Sequence, residues 1–310
     1  MKDNFNESSV PDQSGRTVFV TGANTGIGWD AARVLAARGA RVLLGCRSAD
    51  KAAAARQRIL DIHPSADVDT VALDLGSLAS VRKAADQVLQ ESRLDVLVNN
   101  AGIMMPPREL TVDGFESQFG VNHLGHFALT GLLLPKLKGQ QGARIVTVSS
   151  LAHRAGKIHF DDLNAEKHYG RQDRYSLSKL ANLLFTYELQ RRLHAVGCPA
   201  IALACHPGGA ETELSRHLPK IFLRLTPLFR LVMNTSAEGA LPTLRAVVDP
   251  EAKGGEYFGP AGFAEFARGA SQVRSNVVSH DAALAGRLWE VSVEMTGVDY
   301  DFDAAAAQES

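Results

Sequence analysis

Thr17-Val18-Phe19-Val20-Thr21-Gly22-Ala23-Asn24-Thr25-Gly26-Ile27-Gly28 runs from a short apolar strand through a glycine-rich turn into Trp29 to Arg38, which predicts a helix. A turn in this position suits a phosphate. Glycines let the backbone approach closely, and the free N–H groups and positive dipole end of the helix stabilise negative charge. Strand-to-helix glycine turns also occur without any ligand, and the spacing here is GxxxGxG rather than GxGxxG. The turn therefore sets the start of the fold and leaves its use to be decided by the rest of the chain.

Working outward, brief and almost wholly apolar runs at Arg41 to Gly45, Val68 to Leu73, Val96 to Val98, Arg144 to Val148 and Ala200 to Ala204 predict further strands. Helical stretches separate them: Ala49 to Ile62, Leu78 to Ser92, Phe115 to Leu137 and Tyr175 to Ala195, with Gly39 and Gly197 placed as helix C-terminal caps. Strands without polar alternation suit burial on both faces, and crossover helices are what parallel strands require. The expected fold is α/β, one domain built on a doubly wound, Rossmann-type parallel sheet with helices on both faces. It should span residues 15–302, between a flexible lead-in at 1–14 and a flexible tail at 303–310. Beyond Pro207 the sequence predicts a helix near Ser236 to Val248, a last strand around Tyr257 to Phe258 and a final helix containing Leu288 and Trp289.

Of 310 residues, 45% are hydrophobic and 22% charged, which fits a sizeable core, and 33 Lys and Arg nearly balance 34 Asp and Glu. That balance offers no long-range attraction to nucleic acid. Cys46, Cys198 and Cys205 show no metal-ligand spacing with His, so neither a metal site nor a disulfide framework is expected. Met1 to Gly15 lacks the layout of a secretory signal, and no run approaches the roughly 20 apolar residues of a membrane span. A cytoplasmic location is expected.

After the second strand, where an acidic residue would meet a ribose hydroxyl, the chain reads Gly45-Cys46-Arg47-Ser48. A guanidinium fork suits phosphate oxygens, so Arg47 favours NADP(H) over NAD(H), unless it is simply a solvated arginine. Tyr175 and Lys179 stand four apart on one helix face. A free phenol titrates near 10, so base catalysis by Tyr175 needs a nearby cation, and Lys179 can supply it. Taken alone, this pair also occurs on ordinary amphipathic surface helices. Ser149-Ser150 ends a strand on the carboxyl edge of the sheet, where ligands of open α/β folds bind, although a serine pair there is commonly a turn former. A serine hydrolase is disfavoured: no G-x-S-x-G elbow surrounds either serine, and His153 and His159 lack an evident carboxylate partner.

These motifs together resemble the short-chain dehydrogenase/reductase family from about Arg16 to Gly297. The resemblance rests on TGxxxGIG at Thr21 to Gly28, Asp74-Leu75, Asn99-Asn100-Ala101-Gly102, Asn122, Ser150, Tyr175 with Lys179, and Pro207-Gly208 followed by Thr212. It implies that Gly22, Asn24, Thr25, Gly26, Ile27 and Gly28 hold the dinucleotide phosphates. Asp74 and Leu75 would meet the adenine, and Asn99 to Gly102 would pack near the cofactor. Lys179 would hold the nicotinamide ribose, and Pro207, Gly208 and Thr212 would hold the nicotinamide end. By the same resemblance, Ser150 orients the substrate oxygen, Tyr175 exchanges the proton, and Asn122 holds a water that relays it. The implied activity is interconversion of an alcohol with a ketone or aldehyde.

Gly45-Cys46-Arg47, Ser149 to His153, Ser178 to Asn182 and Leu288-Trp289-Glu290 resemble the branch of retinol dehydrogenases and WW-domain-containing oxidoreductases, which commonly prefers NADP(H). Thr25 departs from the Lys or Arg that many NADP-preferring members carry in the glycine loop, and Met1 to Gly15 stands in place of a membrane-anchoring segment. Residues 213–233 are amphipathic and basic, and are expected to form a substrate lid selecting an apolar small molecule. Packing on the core, or peripheral membrane contact through 214–233, are the other readings. The resemblance also implies a homodimer through the helices bearing Asn122 and Tyr175. A catalytically weak NADP(H)-binding scaffold or redox sensor, and an epimerase or lyase, remain the alternative functions.

Overall fold

Along β1 (Thr17–Thr21), Val18 and Val20 face one side of the sheet and Phe19 the other, and all five residues are buried. Such a strand needs helices on both sides. The structure, a computed structural model, describes residues 5–209 and 234–302. β1 pairs in parallel with β2 (Arg41–Cys46), which pairs with β3 (Val68–Ala72). On its other edge β1 meets β4 (Val96–Asn99), followed by β5 (Arg144–Val148), β6 (Ile201–Cys205) and β7 (Tyr257–Gly259), all parallel. With β8 (Ser271–Val273) at the edge, the strand order is β3-β2-β1-β4-β5-β6-β7-β8, so the winding reverses between β1 and β4 and opens a crevice at their carboxyl ends.

Among the described residues the helices are α1 (Gly26–Ala37), α2 (Ala49–Ile62), α3 (Leu78–Leu89), α4 (Ser117–Phe119), α5 (Gly125–Leu137), α6 (Arg171–Ala195), α7 (Ser236–Val248) and α8 (Ala282–Thr296). One core layer joins Val18, Val42 and Val96 to α1, α2 and α7; the other joins Phe19, Leu43 and Leu97 to α3, α5, α6 and Trp289. None of these helices is long and apolar enough to cross a membrane.

Four features differ from the sequence reading. β8 (Ser271–Val273) adds an antiparallel edge strand too short to signal itself. The long helix expected from Phe115 is broken: a π-helical turn at Gly120–Leu124, in which Gly125 N–H bonds to Gly120 O, separates α4 from α5. α6 begins a turn before Tyr175, at Arg171, because the polar start Arg171 to Arg174 reads as loop. The lead-in is packed over its described part: Val10 is 1% exposed in the core, Glu7 pairs with Arg33 at 2.6 Å, and Gln13 N donates to Arg38 O. One valine in a polar segment carries that docking. Val10→Ser is expected to lower stability by about 1–3 kcal/mol, read as a shift in the urea midpoint.

The helices suggested for dimerisation are covered within the chain. Every residue of α6 from Arg174 to Leu189 is buried, α8 packs along it through Leu288, and a Cβ at Gly131 of α5 would lie 2.6 Å from the Tyr300 ring. Thr212, the lid expected at 213–233 and the tail at 303–310 lie outside the described residues.

Candidate functional site

The glycine turn is shaped by two left-handed residues, Gly22 at φ +68° and Gly26 at φ +59°. A Cβ on Gly22 would lie 2.8 Å from Ala101 Cα, and one on Gly28 only 2.3 Å from Asn100 Nδ2, so both glycines are required by close approach. Asn100 completes the turn by donating through Nδ2 to Thr21 O at 2.8 Å. Thr25, the residue before α1, makes no side-chain cap bond, which leaves the first-turn N–H groups of α1 directed at the crevice.

A cavity of about 640 Å³ extends from this turn across the carboxyl ends of the strands. Gly22, Asn24, Thr25, Gly26, Ile27 and Gly28 line one wall. Arg47, Asp74 and Leu75 also line the cavity, as do Asn100, Ala101, Gly102, Tyr175, Lys179 and Pro207. The glycine cradle, open helix terminus and flanking cation therefore fit a dinucleotide. Asn99 departs from this set: its side chain is buried and donates to Thr130 Oγ1, away from the cavity. Gly208, at φ +71°, donates its N–H to His206 Nδ1.

The cavity also reveals residues that the sequence reading missed. Ser48 and Lys51 line it beside Arg47; Ser48 caps α2 by accepting from Lys51 N, so α2 points a second N-terminus and a second cation at the same place. The spacing of Arg47 and Lys51 across a strand-to-helix turn could have signalled this. Ile103, Met104, Leu110 and Val112 give it apolar walls, contributed by a loop without regular periodicity.

α6 brings Tyr175 and Lys179 to the cavity, and Ser149, just past the end of β5, lines it beside them; Ser150, one residue further, is not a lining residue and joins the cluster through its hydrogen bond with the Tyr175 phenol. Burial raises the Tyr175 phenol above its ordinary value, and a hydrogen bond with the Ser150 hydroxyl offsets part of that rise. Lys179 Nζ donates to Val148 O at 3.1 Å and lies 5.8 Å from the Tyr175 ring centre; burial pushes its ammonium down to about 8. Asn122 lies in the π-turn, fully buried. Its Oδ1 accepts from Ile103 N, and its Nδ2 donates to Ile103 O and Ser178 Oγ. This clamp fixes the loop after Gly102 against α6. A Cβ on Gly102 would lie 3.2 Å from Asn122 Oδ1 and 3.5 Å from Lys179 Nζ, so the two side chains converge there.

The serine turn is held from behind. His153, whose pKa burial lowers to about 4, donates through Nδ1 to the carbonyl of Ser150 at 2.6 Å rather than to its hydroxyl. That geometry removes His153 as a base for Ser150 and with it a serine hydrolase. Among the described residues no group of three His, Cys, Asp or Glu could hold a metal. The cluster can instead hold an oxygen at Ser150 and exchange one proton through Tyr175, beside a dinucleotide cradle.

Comparison with known proteins agrees with this architecture. A family model described as short chain dehydrogenase matches residues 16–220. Human retinol dehydrogenase 14 is 44% identical over 304 residues, covering 92% of this chain and 87% of that protein. Human retinol dehydrogenase 12 is 43% identical over 293 residues, with 93% and 88% covered. The crystal structure of an uncharacterized protein from Mycobacterium paratuberculosis is 42% identical with a TM-score of 0.81, covering 96% of this chain and 100% of that one. A short chain dehydrogenase from Burkholderia cenocepacia J2315 in complex with NADP shares the fold, with a TM-score of 0.62 at 24% identity and 79% and 95% coverage. Family match, sheet order and glycine cradle agree, and this chain belongs to the short-chain dehydrogenase family, in its retinol dehydrogenase branch, whose fold binds a nicotinamide dinucleotide.

Proposed function

We propose that the protein is an NADP(H)-dependent oxidoreductase that interconverts an apolar alcohol with its aldehyde or ketone. One observation carries the proposal: Tyr175 and Lys179 both line the cavity that begins at the glycine turn, the Lys179 ammonium 5.8 Å from the Tyr175 ring centre, and the Tyr175 phenol hydrogen-bonds the Ser150 hydroxyl beside it. When bound, the dinucleotide supplies or accepts a hydride at its nicotinamide ring. Ser150 holds the substrate oxygen. Tyr175 gives that oxygen a proton during reduction and takes one during oxidation. Lys179 supports the tyrosinate with its positive charge and holds the ribose, and Asn122 fixes the loop that bounds the site and holds the relaying water. Pro207 and Gly208, together with Thr212, hold the nicotinamide end.

Arg47 supports the NADP(H) preference. It is exposed at the cavity edge, makes no ion pair among the described residues, and is reinforced by Lys51 and the α2 terminus. The apolar walls at Ile103, Met104, Leu110 and Val112 favour an apolar substrate, as do relatives named for retinol. Three free thiols suit a reducing, cytoplasmic setting.

Fluorescence titration with NADPH and NADH, followed by an absorbance screen at the nicotinamide band against apolar aldehydes, ketones and alcohols, tests this reading. Arg47→Asp should raise the NADPH Kd by about 10- to 100-fold, the worth of a charge-assisted phosphate contact, with little effect on NADH. An unmoved ratio of the two affinities would remove Arg47 as the determinant.

A further inference from the structure

One buried imidazole stands between the catalytic cluster and the dinucleotide cradle. His126 is 1% exposed on α5, four residues after Asn122. Its Nδ1 is 3.0 Å from the main-chain oxygen of Asn122, and its Nε2 is 2.9 Å from Thr21 Oγ1. A carbonyl oxygen can only accept, so Nδ1 carries the proton. In the neutral ring Nε2 is then an acceptor, and Thr21 must donate its hydroxyl hydrogen to it. The same hydroxyl oxygen accepts from Asn100 N at 2.9 Å and from Ala101 N at 3.0 Å. In that tautomer every donor and acceptor in this chain has a partner, and the Thr21 oxygen accepts only the two N–H groups of Asn100 and Ala101. A doubly protonated ring would set an N–H against the Thr21 hydroxyl, which would then have to give its own hydrogen to Val98 O at the longer 3.3 Å.

We infer that His126 is a positioning residue whose neutral Nδ1–H tautomer couples the Asn122 carbonyl, in the π-turn, to the Thr21 hydroxyl that orders the Asn100-Ala101 wall of the cofactor cavity. This rests on the hydride-transfer reading for its consequence in catalysis, but not for its geometry. The surroundings keep the ring neutral: burial lowers its pKa to about 4, and the nearby Lys179 ammonium acts in the same direction. His123, also fully buried and held near 3, is the other titratable group acting across this part of the core. Through His126, a displacement of the π-turn reaches the cofactor turn without passing through solvent.

Two isosteric substitutions separate the arms. Asn at 126 places an amide N–H near the Nδ1 position and loses the acceptor for Thr21; Gln places an amide oxygen near Nε2 and loses the donor to Asn122. His126→Asn should therefore raise the NADPH Kd by about 3- to 10-fold, more than it lowers kcat with decanal. His126→Gln should do the reverse, lowering kcat by about 3- to 10-fold, more than it raises the Kd. Equal effects of both substitutions on both quantities would overturn the coupling.

Nitrogen NMR of wild type labelled with carbon-13 and nitrogen-15, without cofactor, gives a readout independent of turnover and of the variants, the His126 ring signals being assigned through bond correlations to its own backbone. Nδ1–H neutral imidazole at pH 7 is expected; an Nε2–H tautomer or an imidazolium would overturn the inference even if the variants failed to fold. Should wild type bind NADPH yet reduce no aldehyde, the function reading fails, while the tautomer and the Kd arm still decide the coupling.

Discussion

Tyr175→Phe should lower kcat for reduction of an apolar aldehyde by roughly 100- to 10,000-fold, the usual worth of a positioned general acid, while NADPH binds within about twofold of wild type. The substitution keeps the buried ring and removes only the phenolic oxygen. Its one described partner, the Ser150 hydroxyl, retains the N–H of Ala152, and the Ser150 turn stays anchored by His153. Stability should therefore change little. The expected signature is a loss of turnover without a loss of cofactor or of fold. Turnover in the Phe variant close to wild type would show that another group moves the proton.

Lys179→Met should abolish most turnover and, in the absence of cofactor, make the protein more stable at pH 7 by about 2–4 kcal/mol, or roughly 5 °C in Tm. The ammonium is buried and titrates at about 8, against 10.5 for the ordinary group. A cation whose folded pKa is depressed costs stability in full below the folded value. Between about 8 and 10.5 the unfolded chain binds more protons, so wild-type stability rises through that window relative to the variant. The difference should vanish above it. Removing Lys179 leaves no orphan, because Val148 O still accepts from Asn182 Nδ2 at 3.1 Å. Denaturant titrations of both proteins from pH 7 to 11 check the sign. A variant less stable than wild type at pH 7 would show that the lysine contributes more to packing than its burial costs. Such an exchange of stability for function is expected where a charge is held in a dry site.

Much of this was legible in sequence, for identifiable reasons. Strands such as Val96 to Val98 and Arg144 to Val148 are buried on both faces, so their apolar runs announce themselves, and β1 with its glycine turn places the crevice. Tyr175, Lys179 and Arg47 carry their chemistry in side chains at fixed spacing from such elements. What stayed hidden depends on backbone detail or on partners far along the chain. The π-turn around Asn122 follows a helical pattern that periodicity alone cannot interrupt. Asn99 matches the motif but turns into the core toward Thr130, since adjacent strand residues face opposite sides. Lys51 hid within an amphipathic helix, and His126 looked like any core histidine until Thr21, 105 residues earlier, was seen beside it. Val10 was one valine among polar neighbours, and the covering of α6 by α8 required the tertiary structure.

The most direct measurement is isotope tracing. Wild type and Tyr175→Phe are each incubated with NADPH deuterated at the nicotinamide C4 and with decanal, and the decanol is analysed by mass spectrometry. Deuterium accumulating in the alcohol in step with NADPH oxidation, and nearly absent with the Phe variant, is the predicted result. NADPH bound tightly by wild type with no deuterium reaching product from any of a panel of apolar carbonyls would contradict the account, leaving a protein that holds the dinucleotide without transferring its hydride.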